Sequence, residues 1–333
     1  MLADPTRLHL LWLLTQGEAD VSALAEATGS RIAWIPRRAG DRGALEVGAV
    51  PNLLPGGRPV TDDRARAEVA AAWNVENLPA GVGRDTDAIL AAATSGALQA
   101  LLIGGVDIDD LPDPEAAAAA IDAAPFVVSL ELRHSPVTDR ADVVFPVAPV
   151  AEKSGTFVNW EGRQRPFEAA LPPSATADMR VLAALADEVG VDLGLADTAT
   201  VRADIDRLGP WAGPRPPAPQ VTQPHAIQPG PGQAVLTGWR MLLDGGRLQV
   251  GEPHLAGTAR AAVARLSAAT AAEIGCAEGA PVRISTDRGT VDLPVAITEM
   301  PDRVLWVPLN TAGAAVYRTL EAPLGTIVGI EAV

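Results

Sequence analysis

The sequence predicts an α/β protein, a doubly wound parallel-sheet domain followed by a smaller all-β domain. Three observations carry this expectation. The runs 100–107, 112–123 and 126–131 read as strand, glycine loop, helix and strand, the βαβ rhythm of a parallel sheet. Short apolar runs alternate with turn residues throughout 234–333. Between the two, 209–232 holds eight prolines with interspersed glycines, the composition of a stiff, extended connector.

Taken in order, residues 1–29 form a distinct piece. Asp4 is placed to cap a helix with Pro5 at its first position, and Leu8, Leu10, Leu11, Leu13 and Leu14 give it a broad apolar face ending at Gly17. A second short helix is expected over 21–29, and 31–36 reads as a strand stopped by Pro36. Residues 37–43 and 55–59 are rich in glycine and arginine. They match neither dinucleotide nor P-loop spacing and are read as solvated loops. Helices are expected over 61–73, 85–98, 112–123, 177–190 and 268–274, the last ended by Gly275. Strands are expected over 141–147, 281–286, 290–297 and 304–310. A hairpin is expected to join 239–243 to 247–250 through Asp244-Gly245-Gly246.

Bulk properties exclude several functions. A length of 333 residues allows about two domains, and 48% hydrophobic residues can build a sizeable core. With only 4% aromatics, Ala, Val and Leu must fill it. A net charge of −15 argues against nucleic acid as a partner, since that needs a basic face against phosphate. The lone Cys276 excludes an internal disulfide framework and a self-contained iron–sulfur cluster, which takes four thiolates. His9, His134, His225 and His254 have no metal-ligand spacing, so no metal site is expected. His134, Ser135 and Asp139 lie too close in sequence, and without a nucleophile elbow, to make a hydrolytic triad; no catalytic residue is predicted. No apolar run approaches the roughly 20 residues of a membrane span, and no signal-peptide pattern is present. A cytoplasmic protein without direct membrane insertion is expected.

One stretch organises the rest. After the strand-like run 141–147 comes Glu152-Lys153-Ser154-Gly155-Thr156-Phe157-Val158-Asn159-Trp160-Glu161-Gly162-Arg163-Gln164, which includes the only lysine of the chain. Its glycines, Thr and Asn describe a sharply turning backbone, and its alternating charges can pair among themselves. By residue type alone it is a surface hairpin loop.

The order E-x-x-G-T-F-x-N-x-E-G-R-x-Q after V-V-F-P closely resembles the molybdopterin oxidoreductase family. The piece from Leu266 to Gly289 resembles that family's C-terminal dinucleotide-binding domain, a double-psi β-barrel. Within the family the sequence looks most like the large iron–sulfur G subunits of NADH-quinone oxidoreductase (respiratory complex I). The resemblance covers about 30–333 and implies an α/β domain over 30–208, the linker 209–233 and the barrel over 234–333. It implies a molybdopterin guanine dinucleotide as the family's cofactor, with Thr156, Asn159, Arg163 and Asn310 at its binding positions. The iron–sulfur ligands and metal ligand of active members come from upstream regions, so these four positions are expected to be vestigial. The chain is expected to be a scaffold fragment that does not oxidise NADH alone. Its implied partners are other peripheral-arm subunits, on the cytoplasmic face of the membrane. The alternative is a pterin- or guanine-dinucleotide-binding oxidoreductase domain. Residues 1–29 separately resemble the opening of an ArsR-type repressor without its recognition helix, as a fusion joined near 23–30 would give; a transcriptional regulator is the remote alternative.

Overall fold

The computed structural model describes residues 29, 40–214, 228–311 and 314–333. The helices expected before residue 29, the strand at 31–36 and most of the proline-rich connector lie outside these residues. The described chain divides into two compact units: 40–83 with Ser154–Ala169 and 196–214, and Arg84–Lys153 with Ala170–Leu195 and 228–333. Residues of the stretch 30–208, expected as one domain, occur in both units, and those of the barrel fall in the second.

In the second unit, α1 (Thr86–Thr94) starts where the Asp85 carboxylate accepts from Ala88 N at 2.9 Å. It leads to β1 (Leu101–Gly104). Helix α2 (Pro114–Ala123) has Asp113 as its cap and Pro114 at its first position. Then come β2 (Val127–Glu131), β3 (Val143–Pro146) and α3 (Asp178–Glu188). The three strands form a parallel sheet in the order β1–β2–β3, with Leu101 beside Val127 and Val128 beside Val143. Alternation across the pleat sends Leu101, Ile103 and Val127 toward Ala93, Ala117, Ala120 and Ile121 of the two helices. Val128, Leu130 and Phe145 face the other way and meet Val181 and Leu185 of α3. Helices therefore cover both faces, as a parallel sheet requires.

The remainder of the unit is a closed six-stranded barrel built from β4 (Gln233–Trp239), β5 (Ala264–Leu266), β6 (Pro281–Ser285), β7 (Thr290–Ile297), β8 (Val304–Pro308) and β9 (Ile327–Ala332). Their order around the barrel is β6–β7–β5–β8–β4–β9. Two pairings are parallel, β7 with β5 and β8 with β4; the others are antiparallel. Leu236, Leu266, Ile284, Leu305 and Val307 point inward and are fully buried. Short helices accompany the barrel, among them α4 (Ala268–Glu273) and α5 (Val316–Leu320).

The hairpin expected at 239–250 does not form. The strand runs through 233–239 instead, because its edges are taken by β8 and β9. Asp244 accepts from Gly246 N at 2.7 Å, and 247–249 is a turn of 3-10 helix.

In the first unit, 41–46 is a short helix although it begins inside a stretch read as loop. Residues 53–54 and 58–59 make a two-residue ladder, followed by helix Asp63–Trp73. Helix Thr198–Leu208, capped by Asp197, had no counterpart among the helices expected from the sequence. Arg58, read as a solvated loop residue, is only 2% exposed. Its guanidinium donates to Leu208 O (2.8 Å), Gly209 O (2.9 Å), Pro55 O (3.0 Å) and Glu68 (3.1 Å).

Candidate functional site

The family motif folds as a β-hairpin in the first unit. Strand Gly155–Val158 pairs antiparallel with Gln164–Phe167, placing Thr156 opposite Pro166 and Phe157 opposite Arg165. The rings of Phe157 and Phe167 stack with centroids 4.9 Å apart. Asn159 sits at the turn, where its Oδ1 accepts from Arg163 N at 2.8 Å and Glu161 N at 3.1 Å. Its Nδ2 donates to Glu161 at 3.3 Å. Short polar side chains that bond their own turn in this way replace backbone partners. Arg163 pairs with Glu161 at 3.2 Å and is otherwise exposed. Asn159→Ala should therefore destabilise the hairpin by about 1–2 kcal/mol. Faster amide exchange at 161 and 163 than in the native chain is the expected reading.

Only Glu161 and Arg163 pair within the motif. Glu152 instead accepts from the hydroxyl and backbone N of Ser174, each at 2.6 Å, and Lys153 pairs with Asp178, all within the second unit. The Ser174 donors, hydroxyl first, hold the Glu152 carboxyl below its ordinary pKa. Asp292 is likewise lowered, by the hydrogen bond from Arg283. A depressed carboxylate stabilises the folded state above its unfolded pKa, near 4, and loses that contribution as pH falls through the lower folded value. Melting temperature should therefore be insensitive to these groups from pH 7 to 5 and fall below about pH 4. In Glu152→Gln and Asp292→Asn the acid-side fall should be shallower, which a pH series of thermal melts will measure.

The second place where chemistry converges is the crest formed by the carboxyl ends of β1 and β2, the usual ligand position in an open parallel sheet. Glu131, the last residue of β2, is buried, bonds Leu132 N at 2.8 Å and meets Arg247 at 3.5 Å. Arg240 pairs with Asp110 and lies 3.5 Å from Asp244. Asn310 belongs to this unit. Its carbonyl accepts from Gly245 N at 2.6 Å, and a Cβ on Gly245 would come within 3.1 Å of its Oδ1, so glycine suits this close approach. Beside it, Thr311 is buried with no hydrogen-bond partner for its hydroxyl. The barrel arginines that reach the crest were not read as site residues from the sequence; a carboxylate closing a buried strand was the available signal.

Other candidates resolve into local structure. Ser135 and Thr138 bond each other's backbone N–H groups at 2.7 and 3.1 Å, which closes a buried turn. Cys276 is a buried thiol whose pKa is raised by burial, far from the activated thiolate of a reactive cysteine. Among the described residues, no group of His, Cys, Asp or Glu could hold a metal ion. No helix of the described chain is long and apolar enough to cross a membrane.

The hairpin, the covered parallel sheet and the mixed barrel place the chain in a known class. The molybdopterin oxidoreductase model matches residues 15–188, slightly over half the chain, and the molybdopterin dinucleotide binding domain model matches 249–324. The chain belongs to the molybdopterin oxidoreductase family. More particularly, it is 57% identical over 320 residues to the NADH-quinone oxidoreductase G subunit of Mycobacterium bovis, covering 95% of this chain and 40% of that protein. It is 58% identical over 310 residues to the corresponding G subunit of Streptomyces coelicolor, covering 91% and 37% respectively. The chain thus spans about two-fifths of the length of these relatives. Among solved structures, acetylene hydratase from Pelobacter acetylenicus aligns over 80% of this chain and 43% of its own at a TM-score of 0.46 and 15% identity. The first family match begins at residue 15, inside the 1–29 stretch that resembles a repressor.

Two of the four predicted cofactor positions, Asn159 and Arg163, already have local partners that a dinucleotide would have to displace. The Asn159 Oδ1 accepts two bonds from its own turn and its Nδ2 donates one to Glu161, which also pairs with Arg163. At the crest, Arg240 and Arg247 already face Asp110 and the buried Glu131, which disfavour a pyrophosphate.

Proposed function

We propose that the chain is a scaffold portion of a G subunit of NADH-quinone oxidoreductase, which holds peripheral-arm subunits in place and contributes no redox centre of its own. The observation that carries this reading is the 57% identity to the mycobacterial G subunit over 95% of the chain. The self-paired state of Asn159, Arg163, Arg240 and Arg247 supports a structural use of the family fold. In this reading the protein acts at the cytoplasmic face of the membrane through the complex, and Thr156, Asn159, Arg163 and Asn310 are vestigial cofactor positions. A tagged chain expressed beside the respiratory complex should retain peripheral-arm subunits through purification and show no NADH oxidation alone. Purification of the tagged chain free of every such subunit would reject the reading.

A second reading, a dinucleotide-binding domain, is favoured by the match over 249–324 and by the unpartnered, buried Thr311 hydroxyl next to Asn310. Release of a guanine-bearing pterin from the purified chain on acid treatment would select it.

A further inference from the structure

We propose that residues 240–250 form an ion-latched strap over the carboxyl ends of β1 and β2, which opens when its arginine–carboxylate pairs are released. The segment leaves the barrel after β4 and belongs to none of its ladders before β5. Among the residues between 240 and 257 whose side chains are described, none joins an apolar cluster. Leu242, at 94% exposure, points away from the protein. What fixes the strap is polar. Arg240 pairs with Asp110 after β1, Arg247 meets Glu131 at the end of β2, and Arg133 donates to Val250 O. Gly245 N adds one backbone bond to Asn310 O.

The two ion pairs that cross the seam run the same way, while Asp244 of the strap faces Arg240 within it. The strap supplies the cations Arg240 and Arg247, and the sheet supplies the acids Asp110 and Glu131. Two further barrel arginines extend the same pattern, Arg318 to Asp109 and Arg288 to Asp113 at 3.6 Å. The barrel core and the two sheet cores form separate apolar clusters. The Arg240–Asp110 pair is partly exposed, and such pairs are individually weak and screened by salt, whereas the Arg247 pair to the buried Glu131 is screened less. A segment held this way opens locally while the elements beside it stay folded. The strap thereby sets access to the crest, whichever function the crest serves.

Hydrogen–deuterium exchange on the full chain tests the latch. Raising sodium chloride from about 0.1 M to about 1 M shortens the screening length from roughly 10 Å to 3 Å. Amides of 241–250 and 107–110 should then exchange at least about fivefold faster, with those of β6 and β7 unchanged as the internal control. Arg240→Glu should give the fast exchange at low salt, and Arg240→Glu combined with Asp110→Arg should restore protection. Strap exchange indifferent to salt overturns the proposal, as does a double reversal no better protected than the single one. Should Arg240→Glu fail to fold, the salt comparison on the native chain decides alone.

Discussion

Arg58→Ala is expected to cost about 3–5 kcal/mol of stability in the first unit, the range for breaking a buried charged network. The guanidinium is the shared donor for the carbonyls of Pro55, Leu208 and Gly209 and for Glu68. Leu208 ends helix Thr198–Leu208, where carbonyls have no intrahelical partner and a cation is favoured by the helix dipole. Removing the side chain takes the donor from three part-buried carbonyls, leaves Glu68 to Arg64 alone and opens a hole beside Trp211, whose ring lies 5.7 Å from the guanidinium carbon. Arg58→Lys should recover only part of the loss, since one ammonium cannot reach both helix-end carbonyls and Glu68 at once. Denaturant titration followed by tryptophan fluorescence will show it. An Arg58→Ala midpoint equal to that of the native chain would refute the clamp.

The second large effect is expected in the barrel, at Gly289→Ala. The turn between β6 and β7 docks on the end of α5, where Thr286 Oγ1 donates to Leu320 O at 2.7 Å and accepts from Gly289 N at 3.1 Å. A Cβ built on Gly289 would fall within the carbonyl oxygen of Thr319, a backbone atom with no rotamer to yield. The turn must lift away, at about 3 kcal/mol or more, at the upper end of overpacking costs. A thermal melt by near-ultraviolet circular dichroism should show a clear drop in midpoint, while Asp287→Ala in the same turn should leave it nearly unchanged. Equal midpoints for Gly289→Ala and the native chain would contradict this packing.

These two residues also mark what the sequence could and could not convey. The antiparallel pair of β6 and β7 was legible because Val282, Ile284, Val291, Leu293 and Val295 alternate with polar or exposed positions around an Asp-Arg-Gly turn. The helices α1 and α2 were legible as the runs 85–98 and 112–123, and the structure trims them to their caps at Asp85 and Asp113. Arg58 was not, because its partners Leu208 and Gly209 lie 150 and 151 residues away and only folding brings them together. The false hairpin at 239–250 had the right turn residues, but turn chemistry is silent on which neighbour a strand will choose. At the family motif, the hairpin and the use of Asn159 to hold its turn were legible; that Lys153 would pair with Asp178 and Glu152 with Ser174, outside the motif, was not.

The strand order of the barrel carries a kinetic consequence. β4 is bonded to β8 on one side and to β9 on the other, through pairs such as Val235 with Val304 and Gln233 with Gly329. Its two neighbours are therefore the last strands of the barrel to be synthesised, and β4 has no local partner to nucleate on. Such long-range pairing closes loops before any contact rewards it, which slows folding to roughly milliseconds to seconds. During synthesis β4 must wait, with both edges open, until β9 has left the ribosome, and the hairpin of β6 and β7 is the natural nucleus on which the ring then shuts.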